Sequence, residues 1–168
     1  MSNVSVGILM GSKSDLPAME AAGVVLDELG IGWEMHIMSA HRTPDEVHNY
    51  AQTAPKRGLK VMIAGAGMSA ALSGVVAANT NLPVIGVPLG RDVSAGLDAV
   101  FSTVQMPPGI PVAAVAVGKA GAKNAAWLAA RILALADGDL ASRLAEKREE
   151  MRQKVLATDA ELQASLSN

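Results

Sequence analysis

Among the residues whose types can do chemistry, His41 and Arg42 stand side by side within Ser39-Ala40-His41-Arg42-Thr43. An imidazole accepts and returns protons near neutral pH, and a guanidinium grips a phosphate through paired hydrogen bonds. An adjacent cation favours the neutral ring, the form able to accept a proton. The pair suits general acid–base chemistry on a phosphorylated substrate; a surface pair without function is the plain alternative.

Two further segments offer complementary groups. Gly11-Ser12-Lys13-Ser14-Asp15 brings a close-approach glycine, two hydroxyls and free backbone N–H groups to a helix start, which together can hold a phosphate. Asp15 can bind ribose hydroxyls, although Ser and Asp are also ordinary helix caps. In Gly65-Ala66-Gly67-Met68-Ser69, small residues let backbone N–H groups approach a carboxylate or carbon dioxide, or else serve helix–sheet packing. There is no G-x-x-x-x-G-K-[ST] loop, so an ATPase reading fails. His36 and His48 fall inside a predicted strand and helix, where structural roles are expected. The chain has no cysteine, which removes disulfides, thiol nucleophiles and thiolate metal sites. No His or carboxylate cluster shows ligand spacing, so no metal is expected.

Elements must present these segments. The apolar run 4–10 reads as a buried strand stopped by Gly11. Asp15 is then expected to cap a helix whose apolar face is Met19, Ala22, Val25, Leu26 and Leu29, ending at Gly30. Residues 31–38 read as a second strand, and Thr43 with Glu46 as a capping box opening a helix to about residue 56. A third strand over 59–64, a tight turn at 65–69, a short helix over 70–78 and a fourth strand over 82–88 follow. Residues 96–104 read as helical, 106–109 as a turn, 112–117 as a fifth strand and 122–136 as an apolar helix.

Strands alternating with helices imply right-handed crossovers and a parallel sheet covered on both faces. The expected fold is a three-layer, doubly wound α/β domain spanning residues 1–168. In such sheets ligands bind outside the carboxyl ends of the strands, where all three chemical segments lie. A last helix, from 139 to about 166, carries only a thin stripe of Leu140, Leu144, Met151 and Val155. It suits packing on a neighbouring subunit, or closing its own domain.

The bulk properties exclude several classes. At 168 residues the chain fits one domain. Its apolar runs stop well short of the roughly 18 to 20 residues of a membrane span. The N-terminus lacks a signal-peptide pattern, so a cytoplasmic location is expected. A net charge of -2 with two Trp, one Tyr and one Phe gives neither pull on a nucleic acid nor stacking platforms for one. Scarce aromatics also argue against a flavin.

In order and spacing, GSKSD at 11–15, SAHRTP at 39–44, LPVIGVP at 82–88, and QMPPGIPV at 105–112 with the later GAKNAA resemble the PurE family. The resemblance runs from about residue 4 to 135. It implies a flavodoxin-like subunit of a homo-octamer, with sites near subunit interfaces, a C-terminal helix reaching a neighbour, and neither metal nor organic cofactor. By position, it implies that Ser12, Asp15 and Arg42 bind the ribonucleotide and its phosphate while His41 shuttles protons. Ser39 and Ala40 would complete the substrate site, and the backbone around residues 67–72, with Gly67, Ser69 and Leu72, would line a pocket for carbon dioxide.

Two reactions occur in that family. The mutase variety turns N5-carboxyaminoimidazole ribonucleotide into the 4-carboxy isomer; the carboxylase variety makes the same product from aminoimidazole ribonucleotide and CO2. The mutase implies a functional link to the ATP-dependent synthetase that makes its substrate. The third segment departs from both patterns: the mutase pattern GAGGAAHLPG is here GAGMSAALSG over 65–74. Ala71 stands where the mutase has histidine, and Met68 and Ala70 replace the Arg and Asn of the carboxylase. SAHRTP and 105–112 look more like the mutase, which is the expected reaction. Direct carboxylation, a non-catalytic module binding a phosphorylated ligand, and a degenerate paralogue are the alternatives.

Overall fold

The computed structural model describes residues 4–90 and 95–167. Its elements follow the chain as β1 (Val4–Met10), α1 (Leu16–Glu28), β2 (Gly32–Ile37), α2 (Pro44–Thr53), β3 (Val61–Gly67), α3 (Leu72–Ala78), β4 (Val84–Leu89), α4 (Leu97–Val104), β5 (Ala113–Ala114), α5 (Gly118–Ala134) and α6 (Gly138–Leu166). All strand pairs are parallel, in the order β2-β1-β3-β4-β5. That order is flavodoxin-like, and the fold is the expected doubly wound α/β sheet.

The pleat explains the two cores. Along β1, Val6, Ile8 and Met10 face α1 and α5, whereas Leu9 faces α2 and α3; β3 divides Val61 and Ile63 from Met62 and Ala64 in the same way. A strand buried on both faces therefore reads as one unbroken apolar run. Met19, Ala22, Val25, Leu26 and Leu29 of α1 are all buried, as their spacing predicts. Gly65 allows the close approach of α1 to β3: a Cβ there would lie 2.4 Å from the Met19 sulfur.

Several boundaries differ from expectation, each for a local reason. Asp15 makes no side-chain cap for α1; a short 3-10 turn at Lys13–Asp15 comes first and Ser12 caps that turn. The Thr43–Glu46 capping box does not form, because the Thr43 hydroxyl bonds back to Ser39 instead. β3 continues to Gly67 because β4 pairs with it as far as Gly67↔Leu89, so the turn begins only at Met68. β5 has two residues rather than six: α5 begins at Gly118 instead of 122, and Gly121 packs so tightly on Ala116 that a Cβ would meet its carbonyl oxygen at 1.6 Å. The chain must leave the sheet early to enter that helix.

α6 starts with Asp137 accepting a hydrogen bond from the Leu140 N–H at 2.9 Å. Leu140 is buried, Leu144 packs on the core, and Arg143 Nε donates to the Leu29 carbonyl at 3.1 Å. Met151 and Val155 lie exposed. The stripe thus closes its own domain at its start and leaves its far end uncovered. Among the described residues, no helix is long and apolar enough to cross a membrane.

Candidate active site

A cleft of about 390 Å³ opens at the carboxyl ends of β1, β2 and β3. The three loops after those strands build it, and the strand order brings β1 between the other two. Ser12, Asp15, Ser39, Ala40, His41, Arg42, Gly67, Ser69 and Leu72, the nine residues selected in the sequence, all line it. Gly11, Ala66, Met68 and Ala71 complete the lining.

The second loop is held from within. Thr43 Oγ1 accepts from the Ser39 N–H at 2.9 Å and lies 3.2 Å from the Ser39 carbonyl, while the Thr43 N–H donates to that carbonyl at 2.8 Å. Because Thr43 is committed here, 39–43 closes into a turn that carries His41 at its exposed bend. Among the described residues His41 has no hydrogen-bond partner, so its ring nitrogens are open to a ligand.

Arg42 ties the second loop to the first. Its Nη2 donates to the Gly11 carbonyl at 2.6 Å, and its Nε approaches Ser39 Oγ at 3.3 Å. The guanidinium keeps further N–H groups for an anion, since it carries five. In the first loop Ser12 Oγ accepts from the Ser14 hydroxyl at 3.0 Å and its N–H at 3.4 Å. Asp15 is only 5% exposed at the cleft floor. The polar wall of the cleft is therefore ordered before any ligand arrives.

The third loop is different in kind. Its lining is small or apolar, and Met68 adopts φ 58, a left-handed conformation that a Cβ disfavours. The Met68 carbonyl accepts from the Ala70 N–H at 2.8 Å. Met68 lies within the stretch 67–72 whose backbone was expected to line the carbon dioxide pocket, at a glycine position of the mutase pattern; its side chain was not singled out. Ala71, where that pattern has histidine, does line the cleft and leaves His41 as its one imidazole.

The other two histidines lie elsewhere, as expected. His48 Nδ1 and Asn79 Oδ1 are 2.6 Å apart. His36, on β2, belongs to a cluster that sequence reading did not find. There the Tyr50 hydroxyl donates to Glu34 Oε1 at 2.7 Å and Arg57 Nη1 donates to the same oxygen. The Arg57 guanidinium also lies 4.3 Å above the Tyr50 ring, and His36 Nε2 is 3.8 Å from Glu34. Burial works to raise the Glu34 carboxyl, but hydrogen bonds from Tyr50 and Arg57 outweigh it and hold it below the usual range. Burial, reinforced by the bond to Glu34, pushes the Tyr50 phenol up.

The chain is similar in sequence and in fold to known proteins. The family model for AIR carboxylase matches residues 5–154. The N5-carboxyaminoimidazole ribonucleotide mutase of Bacillus subtilis is 53% identical over 157 residues, covering 94% of this chain and 97% of the relative. The mutase of Thermotoga maritima is 52% identical over 151 residues, covering 90% and 87%. Among solved structures, Treponema denticola PurE superposes with a TM-score of 0.84 at 36% identity, covering 94% of this chain and 97% of that one.

Proposed function

This chain belongs to the AIR carboxylase family, and we propose that its cleft converts N5-carboxyaminoimidazole ribonucleotide to 4-carboxyaminoimidazole ribonucleotide in purine biosynthesis. The observation that carries this reading is the convergence of an open imidazole, a guanidinium, a buried carboxylate and a wall of small residues in one cleft. Relatives sharing half its residues bear the mutase name, which disfavours direct carboxylation and the non-catalytic alternatives.

Arg42 and the N–H groups of the first loop hold the phosphate, and Asp15 accepts from ribose hydroxyls. Ser12, Ser39 and Ala40 fix the ribonucleotide between them. In the reaction the N–C bond of the carbamate breaks, CO2 is released into the cleft and the amine nitrogen gains a proton. The ring C4 carbon then attacks that CO2, and His41 removes the C4 proton as aromaticity returns. The net change is an isomerisation. Gly67, Ser69 and Leu72 bound the space for the neutral intermediate, where low polarity disfavours its hydration.

The reading extends to a cytoplasmic homo-octamer that receives its substrate from the ATP-dependent synthetase. Support for assembly comes from the apolar side chains left exposed on α4 (Leu97, Phe101, Val104) and on the far end of α6. The reaction is tested by supplying the N-carboxylated ribonucleotide without bicarbonate and, separately, aminoimidazole ribonucleotide with modest bicarbonate. Efficient turnover of the first is expected; turnover of the second alone would refute the mutase assignment.

A further inference from the structure

Met68 is the one long side chain on the apolar wall that its own chain does not pack: it is 63% exposed, whereas Leu72 beside it is 2% exposed. Its backbone sits at φ 58, a conformation natural to glycine and costly to any residue with a Cβ. Strain of this kind persists where the surroundings hold it in place, and functional sites are where it collects. Here the Ala70 N–H holds the Met68 carbonyl at 2.8 Å and the Ser102 hydroxyl approaches it at 3.5 Å. The peptide is fixed while the side chain remains free.

From this we propose that Met68 is a retaining residue for the reaction: its thioether chain folds over the substrate ring and keeps CO2 in the cleft between its release from nitrogen and its capture by carbon. The inference rests on the mutase reading. An unbranched, polarizable side chain adapts to a small apolar partner and moves aside for a large polar one. The opposite wall, with Ser12, Asp15, Ser39, His41 and Arg42, is built for the ribonucleotide and offers no apolar group of that reach. The mutase pattern pairs a glycine at this position with a histidine at 71; here Ala71 lacks that ring, and Met68 is the long side chain on the same wall able to take over its space.

The test supplies unlabelled N5-carboxyaminoimidazole ribonucleotide to the full chain in medium containing 13C-bicarbonate and carbonic anhydrase. Label entering the 4-carboxy product is counted per turnover, after subtraction of the enzyme-free background. Wild type should incorporate little. Met68→Gly should incorporate severalfold more label while melting at or above the wild-type temperature, because glycine adopts φ 58 freely. Met68→Leu should restore retention, and Met68→Ala, expected to leak likewise, serves if the glycine variant does not fold. Equal labelling of wild type and the folded truncated variants would overturn the inference, as would truncated variants that lose turnover without leaking. Wild type that fails to turn the substrate over at all would instead refute the reaction.

Discussion

β2 carries two groups of chemically capable side chains with opposite fates. Along the strand, Glu34 is saturated by Tyr50 and Arg57, with His36 beside it. Past the strand's end, His41 has no partner among the described residues, and Arg42 keeps N–H groups in reserve. The first cluster contains a carboxylate, a phenol, a guanidinium and an imidazole, as reactive a set by type as the second. The difference is that its members satisfy one another and lie outside the cleft, whereas the loop residues are fixed from behind and open in front. A set of functional groups becomes a site when its scaffold supplies the partners and leaves the reactive atoms free.

The sharpest way to break that contrast is to truncate one side chain in each region. His41→Ala should lower turnover about 10²–10⁴-fold, the range for a general acid–base group, with melting unchanged because the ring is exposed and unbonded. Full activity in that variant would move the proton transfer elsewhere. Arg42→Ala should come next, raising KM roughly 10–150-fold for a lost charge-assisted bond of about 1.5–3 kcal/mol. It should also lower kcat, since the same side chain ties the second loop to Gly11. A KM equal to wild type would show that the phosphate is held without Arg42.

Tyr50→Phe sharpens the comparison from the other side. It removes a hydrogen bond to a charged acceptor and should destabilise the fold by about 1–2 kcal/mol, a few degrees in melting temperature, with kcat nearly intact. A large loss of kcat without loss of stability would make the cluster part of the active site. The smallest effect is its pH dependence. The Glu34 carboxyl is held below its usual range, so in the carboxylate range the unfolded chain binds more protons than the folded one. Its contribution is present above the unfolded pKa and lost as pH falls through the lower folded value. Urea unfolding between about pH 3 and 7 should show wild type losing more stability on acidification than Glu34→Gln; parallel curves would remove Glu34 as the cause.

The contrast also explains what could be read from residues alone. The parallel sheet and the cleft were legible because β1, β3 and β4 are continuous apolar runs and the reactive residues follow strands directly. All nine chosen positions therefore met in one cleft. The Glu34 cluster was not legible: Tyr50 and Arg57 lie 16 and 23 residues from Glu34, and only the placement of α2 and the turn after it against β2 brings them together. The capping box at Thr43 failed because a hydroxyl that can cap a helix can equally close the preceding loop. Backbone conformation at Met68 is a property of the β3–α3 turn, and no side-chain pattern announces it.

Whether His41 is the imidazole that meets the ribonucleotide can be read from all three histidines at once. Nitrogen-15 NMR of histidine-labelled protein, titrated with 4-carboxyaminoimidazole ribonucleotide, gives separate signals for His36, His41 and His48. The His41 resonances are expected to shift with the added product, while those of His36 and His48 hold their positions in their existing contacts. Saturating product that leaves His41 unmoved, or shifts His36 or His48 in its place, would contradict it.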